Sequence, residues 1–427
     1  MTGAYILRRC ATLGALAVAA CRFDPSGLPN GSNADARTND ATVADAMIGP
    51  DTPPGTPDAD TTDAPPVCEW PQPPLHFDPC DLPAGTALNL AILGRYLYHT
   101  DSGVLTDPAN NTSVPPSLLV DQGDVEVRVL AVSQFSLGVT STLRVVGTRP
   151  LIIASETNIV INGNLNASSL IDPLGLELPT GAGANPSICS LTGATAGTPA
   201  AGTAANQGGS GGGGGALRGD GGDGGDGNGV AKGTGGTAVG LPLELRGGCP
   251  GLEGGSGDGA TGGVGGDGGG AIELAARNSI TISGLVQAGG QRGTRGLQGA
   301  AGGGAGAGGA GSGGMIYIDT NMFTMGPAAT LAANGGGGGE GGDDNQDGAT
   351  NAEDGQPSAS AASKGSGAAN NGGDGGDGSA GNTLDGHDAQ TKDSGGGGGG
   401  GAGYIIFRSP SITKPGGVTI SPAEQSQ

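Results

Sequence analysis

AIELAARNSITISGLVQAGG, residues 271–290, is the stretch on which the fold turns. Ile272 and Leu274 alternate with small or polar residues, then Ile280 and Ile282, then Val286 and Ala288. Alternation of period two in three short bursts predicts three short strands, each with one buried face. Asn278 and Ser283-Gly284 separate the bursts and turn easily.

The pattern recurs. PLIIASETNIVINGNLNASS carries Leu151, Ile153, Ile159, Ile161, Leu165 and Ala167 in the same order, at a constant offset of 121 residues (272 − 151, 282 − 161). Further copies run over Met315–Gly335 (Ile316, Ile318, Phe323, Met325, Leu331, Ala333) and, more loosely, over Tyr404–Ser421. An earlier copy, Val127 to Val145, precedes the Leu151 copy by 22 to 24 residues. Three strands in that length match one coil of a parallel β-solenoid, whose coils bury their inward side chains on their neighbours. The expectation is therefore an all-β chain, a parallel β-helix of about five coils over residues 125–427. An antiparallel sandwich also alternates, but it gives no reason for a three-strand unit to recur in register.

Ninety-five glycines in 427 residues, 3% aromatics and a formal charge of −22 lie far from a globular average, so much of the length cannot be hydrophobic core. Sparse Lys and Arg argue against nucleic acid as a partner.

Residues 1–20 read as an export signal: Arg8 and Arg9, then the apolar ATLGALAVAA, then small residues. Val18-Ala19-Ala20-Cys21 resembles the lipobox of bacterial lipoproteins, which implies lipidation of Cys21, membrane attachment and, with Arg22 rather than aspartate following, the outer membrane. The bland reading is an ordinary secreted protein cleaved near Ala20. Residues 21–66 hold Pro, Thr and repeated Asp with almost nothing apolar, the composition of an acidic disordered tether.

The folded part is expected to open with a cap, residues 67–124, containing a hairpin around Asp101-Ser102-Gly103 that closes the first coil. Beyond the signal and Cys21, four cysteines remain: Cys68, Cys80, Cys189 and Cys249. An even count in an exported chain predicts disulfides. Of three connectivities, Cys68–Cys80 with Cys189–Cys249 is favoured by proximity in sequence. Three glycine-rich insertions, 169–270, 289–314 and 335–403, all follow a third strand and precede a first. They should leave one corner of the solenoid. Runs such as Gly211–Gly215, Gly335–Gly339 and Gly395–Gly401 are either loose or packed side by side as glycine strands in the polyproline-II conformation.

Chemical motifs are thin. GGDGGD at Gly221–Asp226 and Gly372–Asp377, and GGVGGD at Gly262–Asp267, fit part of the calcium-binding nonapeptide, making Asp223, Asp226, Asp267, Asp374 and Asp377 candidate Ca²⁺ ligands. The apolar residue required two positions later is missing: Asn228, Ser379 and Gly269 stand there. Gly290, Gly293, Gly296, Gly299 and Gly302 keep a collagen-like period without proline, so no triple helix is expected. Arg218-Gly219-Asp220 spells an adhesion tripeptide, a coincidence in so Gly/Asp-rich a tract. His76, His99 and His387 show no nucleophile–base spacing, and no catalytic residue is assigned. The outward positions Ile152, Glu273, Tyr317, Arg277, Thr281 and Thr324 build no charged row of the kind found on polysaccharide-cleaving β-helices.

The lipobox, the Asp/Pro/Thr tether, CEWPQPPLHFDPC at Cys68–Cys80, TLRVVGTRPLIIAS at Thr142–Ser155 and the AIELAARNSITISG unit together resemble glycine-rich lipoproteins of myxobacterial type. That resemblance implies location and shape and no chemistry. The glycine tracts are similar in composition to those of PE-PGRS proteins, whose helical N-terminal domain has no counterpart in this sequence. Two functions stay in view. The first is a non-enzymatic cell-surface lipoprotein, structural or adhesive, touching the membrane through its lipid and, through its loops, surface polysaccharide or other copies of itself. The second is a polysaccharide-binding or polysaccharide-cleaving protein.

Overall fold

The computed structural model describes residues 68–171, 179–200, 207–299, 303–343, 346–348, 352–367 and 371–427. The expected signal peptide, Cys21, the tether and Gly302 lie outside the described residues.

Among the described residues eighteen strands follow in order. They are β1 (Thr86–Leu90), β2 (Gly94–His99), β3 (Val104–Thr106), β4 (Thr112–Ser113), β5 (Ser117–Asp121), β6 (Glu126–Leu137), β7 (Ser141–Val146), β8 (Leu151–Ser155) and β9 (Asn158–Ile161). There follow β10 (Asn164–Asn166), β11 (Ala271–Ile282), β12 (Leu285–Gln287), β13 (Met315–Met325), β14 (Thr330–Ala332), β15 (Tyr404–Arg408), β16 (Ser411–Thr413), β17 (Thr419–Ser421) and β18 (Gln425–Ser426).

The recurring units pair in parallel and in the register their offsets dictate. Leu151 stands opposite Ile272, Ile272 opposite Ile316, and Ile316 opposite Ile405. A second row runs Leu165, Val286, Leu331, Ile420. All but Ile420 are fully buried in one core with Ile153, Ile161, Ile282, Phe323 and Phe407. Each such side chain contributes about 1.5–3 kcal/mol by leaving water.

The architecture is nevertheless not the five-coil parallel β-helix. β6 and β11, twelve residues each, both pair with β8 through their first halves and with β9 through their second, closing a ring of four parallel strands, β6-β8-β11-β9. Around it the sheets are mixed: β5 pairs antiparallel with β6, and β2, β3 and β4 pair antiparallel in turn. The physical reason lies at the expected corner. Asn278 does not end a strand; β11 runs through it with only a register shift between Ala276 and Ser279. The first two bursts of the unit thus fuse into one long strand.

The glycine tracts take the ordered one of their two expected forms, packed side by side rather than loose. Every residue of Gly211–Gly215, Gly335–Gly339 and Gly395–Gly401 is buried. Gly211 and Gly214 donate to the carbonyls of Gly225 and Gly222, Gly212 and Gly215 to those of Ala307 and Ala310, and Gly213 to that of Thr195, at 2.8–3.1 Å. Their own carbonyls accept from Gly233 and Gly236, from Gly398 and Gly401, and from Leu252. Direction repeats every third residue, the period of a polyproline-II backbone, so this segment touches six neighbours through backbone alone. A Cβ at Gly211, Gly212 or Gly213 would land on the carbonyl oxygen of Gly396, Leu252 or Thr234. None of the three has a positive φ. Glycine is required there by close approach, not by backbone strain.

Candidate functional site

The bundle has two different ends. At one end its segments join the strands, at Gly270–Ala271, Ala288–Gly289, Gly314–Met315 and Gly403–Tyr404. At the other end the chain reverses in tight turns. Gly227 bridges Val230 with Gly229 at φ 80°, and Gly257 bridges Ala260 with Asp258 and Gly259 at φ 41° and 81°. Asp343 donates its N–H to the Gln346 carbonyl at 3.0 Å. Asn228 N–H donates to Asp393 C=O and Gly299 N–H to Asp343 C=O, each at 2.9 Å, and a Cβ on Gly227 or on Gly257 would meet the backbone of Gly209. A segment of about ten residues at ~3.1 Å per residue sets this far end roughly 30 Å from the strands. An open groove of about 560 Å³ lies among the turns, walled by Asp258, Ala260, Leu297, Gln298 and Asp347. Arg295 pairs with Asp347 at 3.1 Å, and the Asp347 carboxylate also accepts the N–H of Gln298 at 2.8 Å.

The five candidate calcium ligands are spread along the bundle's flanks. Two of every three residues in these outer segments are glycine; where the third is Asp223, Asp226 or Asp377, its side chain accepts a neighbour's N–H. Asp223 accepts the N–H of Gly235 at 2.8 Å, Asp226 that of Lys232 at 2.9 Å, and Asp377 that of Lys364 at 3.0 Å. Asp223 also pairs with the Lys232 ammonium at 2.8 Å and Asp374 with that of Lys364 at 3.2 Å. Asp267 accepts the Asn185 amide at 2.6 Å; burial raises its pKa, which that bond partly offsets. Thr294, Gln291 and Asn185 accept the N–H groups of Val264, Asp267 and Gly268 in the same way. Here the GGD triplet is an edge motif of the bundle. Among the described residues no group of three or more His, Cys, Asp or Glu side chains could hold a metal ion.

Both disulfides, Cys68–Cys80 and Cys189–Cys249, join the pairs favoured on proximity, with Cα atoms 5.3 and 5.4 Å apart. The hairpin at Asp101-Ser102-Gly103 forms between β2 and β3, with Gly103 at φ 72°.

A third place was missed in the sequence. Ile152, Glu273, Tyr317 and Ile406 stand side by side on β8, β11, β13 and β15, on the face expected to be outward. That face is buried: Glu273 is 0% exposed and Tyr317 2%. The segment from Cys68 to Leu82, closed by the Cys68–Cys80 disulfide, crosses it, and Phe77 belongs to one buried cluster with Val129, Leu217, Leu245 and Ile406. His76 Nδ1 lies 2.6 Å from Glu273 Oε2, and its Nε2 lies 3.0 Å from the Leu243 carbonyl. Gln72 donates to Asp319 at 2.9 Å, and Asp319 pairs with Arg408 at 2.8 Å. Burial and then the Glu273 charge push Asp319 up to about 6, against the pull of Arg408 and Gln72. A histidine followed by an apolar Phe77 between two cysteines was the one available signal; its acidic partner is 197 residues away.

No family model matches the chain, and neither the curated proteins nor the solved structures contain a match.

Proposed function

We propose that this chain is a non-enzymatic, exported surface protein, structural or adhesive, in which the glycine bundle is a stiff spacer presenting its far-end turns for contact. The observation that carries the reading is the gathering of the 227–230 and 257–260 turns over the backbone of Gly209, at the end away from the strands. Backbone hydrogen bonds on six sides make a segment hard to bend, and short turns on such a support hold their geometry without ordering on contact. Membrane attachment through Cys21 and an outer-membrane location belong to the same proposal and rest on the Val18–Cys21 motif.

The test is adhesion. Beads coated with the purified protein are presented to the producing cells and their matrix, beside a variant with Asn228, Asp258 and Asp347 all changed to Ser. Loss of binding in that variant, with retention in the flank variant Asp385→Ser, supports the reading; equal binding by all three overturns it. Groove residues Asp258, Gln298 and Leu297, which combine carboxylate, amide and apolar surface, favour a polysaccharide as the contacted material. Competition by soluble cell-derived polysaccharide separates that partner from self-association.

A further inference from the structure

Beyond the far-end turns, the buried face of β11, β13 and β15 holds a set of ionisable groups that neither adhesion nor the bundle uses. We infer that residues 68–82 form a proton-operated clasp, closed on the sheet when His76 is charged and released when it is neutral.

Geometry carries this. Both atoms facing the His76 ring nitrogens are acceptors, the Glu273 carboxylate at 2.6 Å and the Leu243 carbonyl at 3.0 Å. Only an imidazolium, with two N–H donors, satisfies both. A neutral ring turns one lone pair toward an oxygen, inside a site where His76 is 8% exposed and Glu273 fully buried.

Other groups facing the ring come from every packed element. β11 supplies Glu273; β13 supplies Asp319 and the Tyr317 ring, edge-on at 4.9 Å between centroids; β15 supplies Arg408, spent on Asp319. Asp121 and Glu244 line the opening of about 390 Å³ beside it. Burial works against the charged imidazole, but the Glu273 charge and hydrogen bond, the Leu243 carbonyl and the Asp319 charge outweigh it and raise its pKa. Asp319 adds to the same direction, since its raised pKa also makes the closed form bind more protons than the open one. The Asp319 contribution fades as pH rises from the ordinary carboxylate value to about 6, and the His76 contribution as pH rises from 6.5 through its raised value. The Cys68–Cys80 bond makes the segment leave as one loop, uncovering Tyr317 and Ile406.

Trp70, the single tryptophan of the chain, lies in the clasp with its ring 5.7 Å from that of Phe77. The experiment is acrylamide quenching of Trp70 in the oxidised protein between about pH 5 and about pH 9, on either side of the histidine range. Far-UV circular dichroism is recorded on the same samples. Expected is a rise in quenching with unchanged strand signal. In Glu273→Gln the midpoint moves down by roughly one to three pH units, the size of effect a neighbouring carboxylate exerts. In His76→Gln the upper step is absent, and in Asp319→Asn, which keeps its hydrogen-bonding shape, only the acid limb is lost. Flat quenching in the wild type overturns the inference without recourse to any variant. So does a step coincident with loss of the strand signal, or a midpoint unmoved in Glu273→Gln.

Discussion

The Asp388 carboxylate accepts the backbone N–H of Asp223 at 2.8 Å, across 165 residues of sequence. Asp385 does the same for Asp220 at 2.9 Å and Thr391 for Asp226 at 3.1 Å, at the same separation. One side chain in three on each outer segment thus closes the hydrogen bond that a further glycine segment would otherwise have made. Asp388→Ala should destabilise the protein by about 0.5–1.5 kcal/mol, the net worth of such a bond, and Asp388→Asn, which keeps an acceptor, by less. Urea unfolding of the three proteins measures both.

Acid should weaken this edge. Burial alone would raise the Asp223 pKa, but the Lys232 hydrogen bond, the Gly235 N–H and the Lys232 charge outweigh it and lower it. A lowered native pKa contributes stability above the ordinary carboxylate value and loses it as pH falls through the native one. The stability gap between wild type and Asp223→Asn should therefore close as pH is lowered below about 3.8, the reverse of the clasp. A gap independent of pH would show that Asp223 is not held as a carboxylate.

Glycines within the bundle and outside it should respond differently to one methyl group. Gly213→Ala places a Cβ on the Thr234 carbonyl, whereas a Cβ at Gly240 meets nothing within 4 Å. The first change should cost about 1–3 kcal/mol or more by overpacking. The second should be within about 0.5 kcal/mol of neutral. Thermal unfolding of the two variants decides, and equal shifts would contradict the six-neighbour packing.

Residues 337–400 are not a detachable loop, and deleting them should destabilise the rest of the bundle. Gly396 and Gly399 accept from Gly225 and Gly222, and Gly395 and Gly398 accept from Ala307 and Ala310. Their removal leaves those four N–H groups without partners, at about 1–3 kcal/mol for each one that stays buried. The remaining bundle should lose its cooperative transition and its resistance to protease. A deletion variant melting like wild type would show that the tracts are independent of each other.

In the strand core, Ile282→Asp should unfold the protein, since Ile282 is 0% exposed and an unpaired carboxylate has no partner there. Thr281→Asp, on the half-exposed face, should change stability by less than about 1 kcal/mol. Circular dichroism melts distinguish them.

Much of the strand pairing was legible in the chain itself, because burial of one face imposes period two, and equal spacing of the inward residues imposes register. The offset of 121 residues by itself places Leu151 beside Ile272 and Leu165 beside Val286, as they pair in the sheets. Disulfide pairing by proximity and the hairpin at Gly103 were legible too, since both are local. Three things were decided by tertiary structure. Whether Asn278 ends a strand depends on the partners on either side, and β8 and β9 together hold β11 extended through it. A glycine run carries no side-chain pattern, so the sequence left loose and side-by-side packed forms both open and named no partners; six neighbouring backbones drawn from distant segments decide both. Glu273 alternates like a solvent-facing residue, and only the return of residues 68–82 across the sheet buries it against His76.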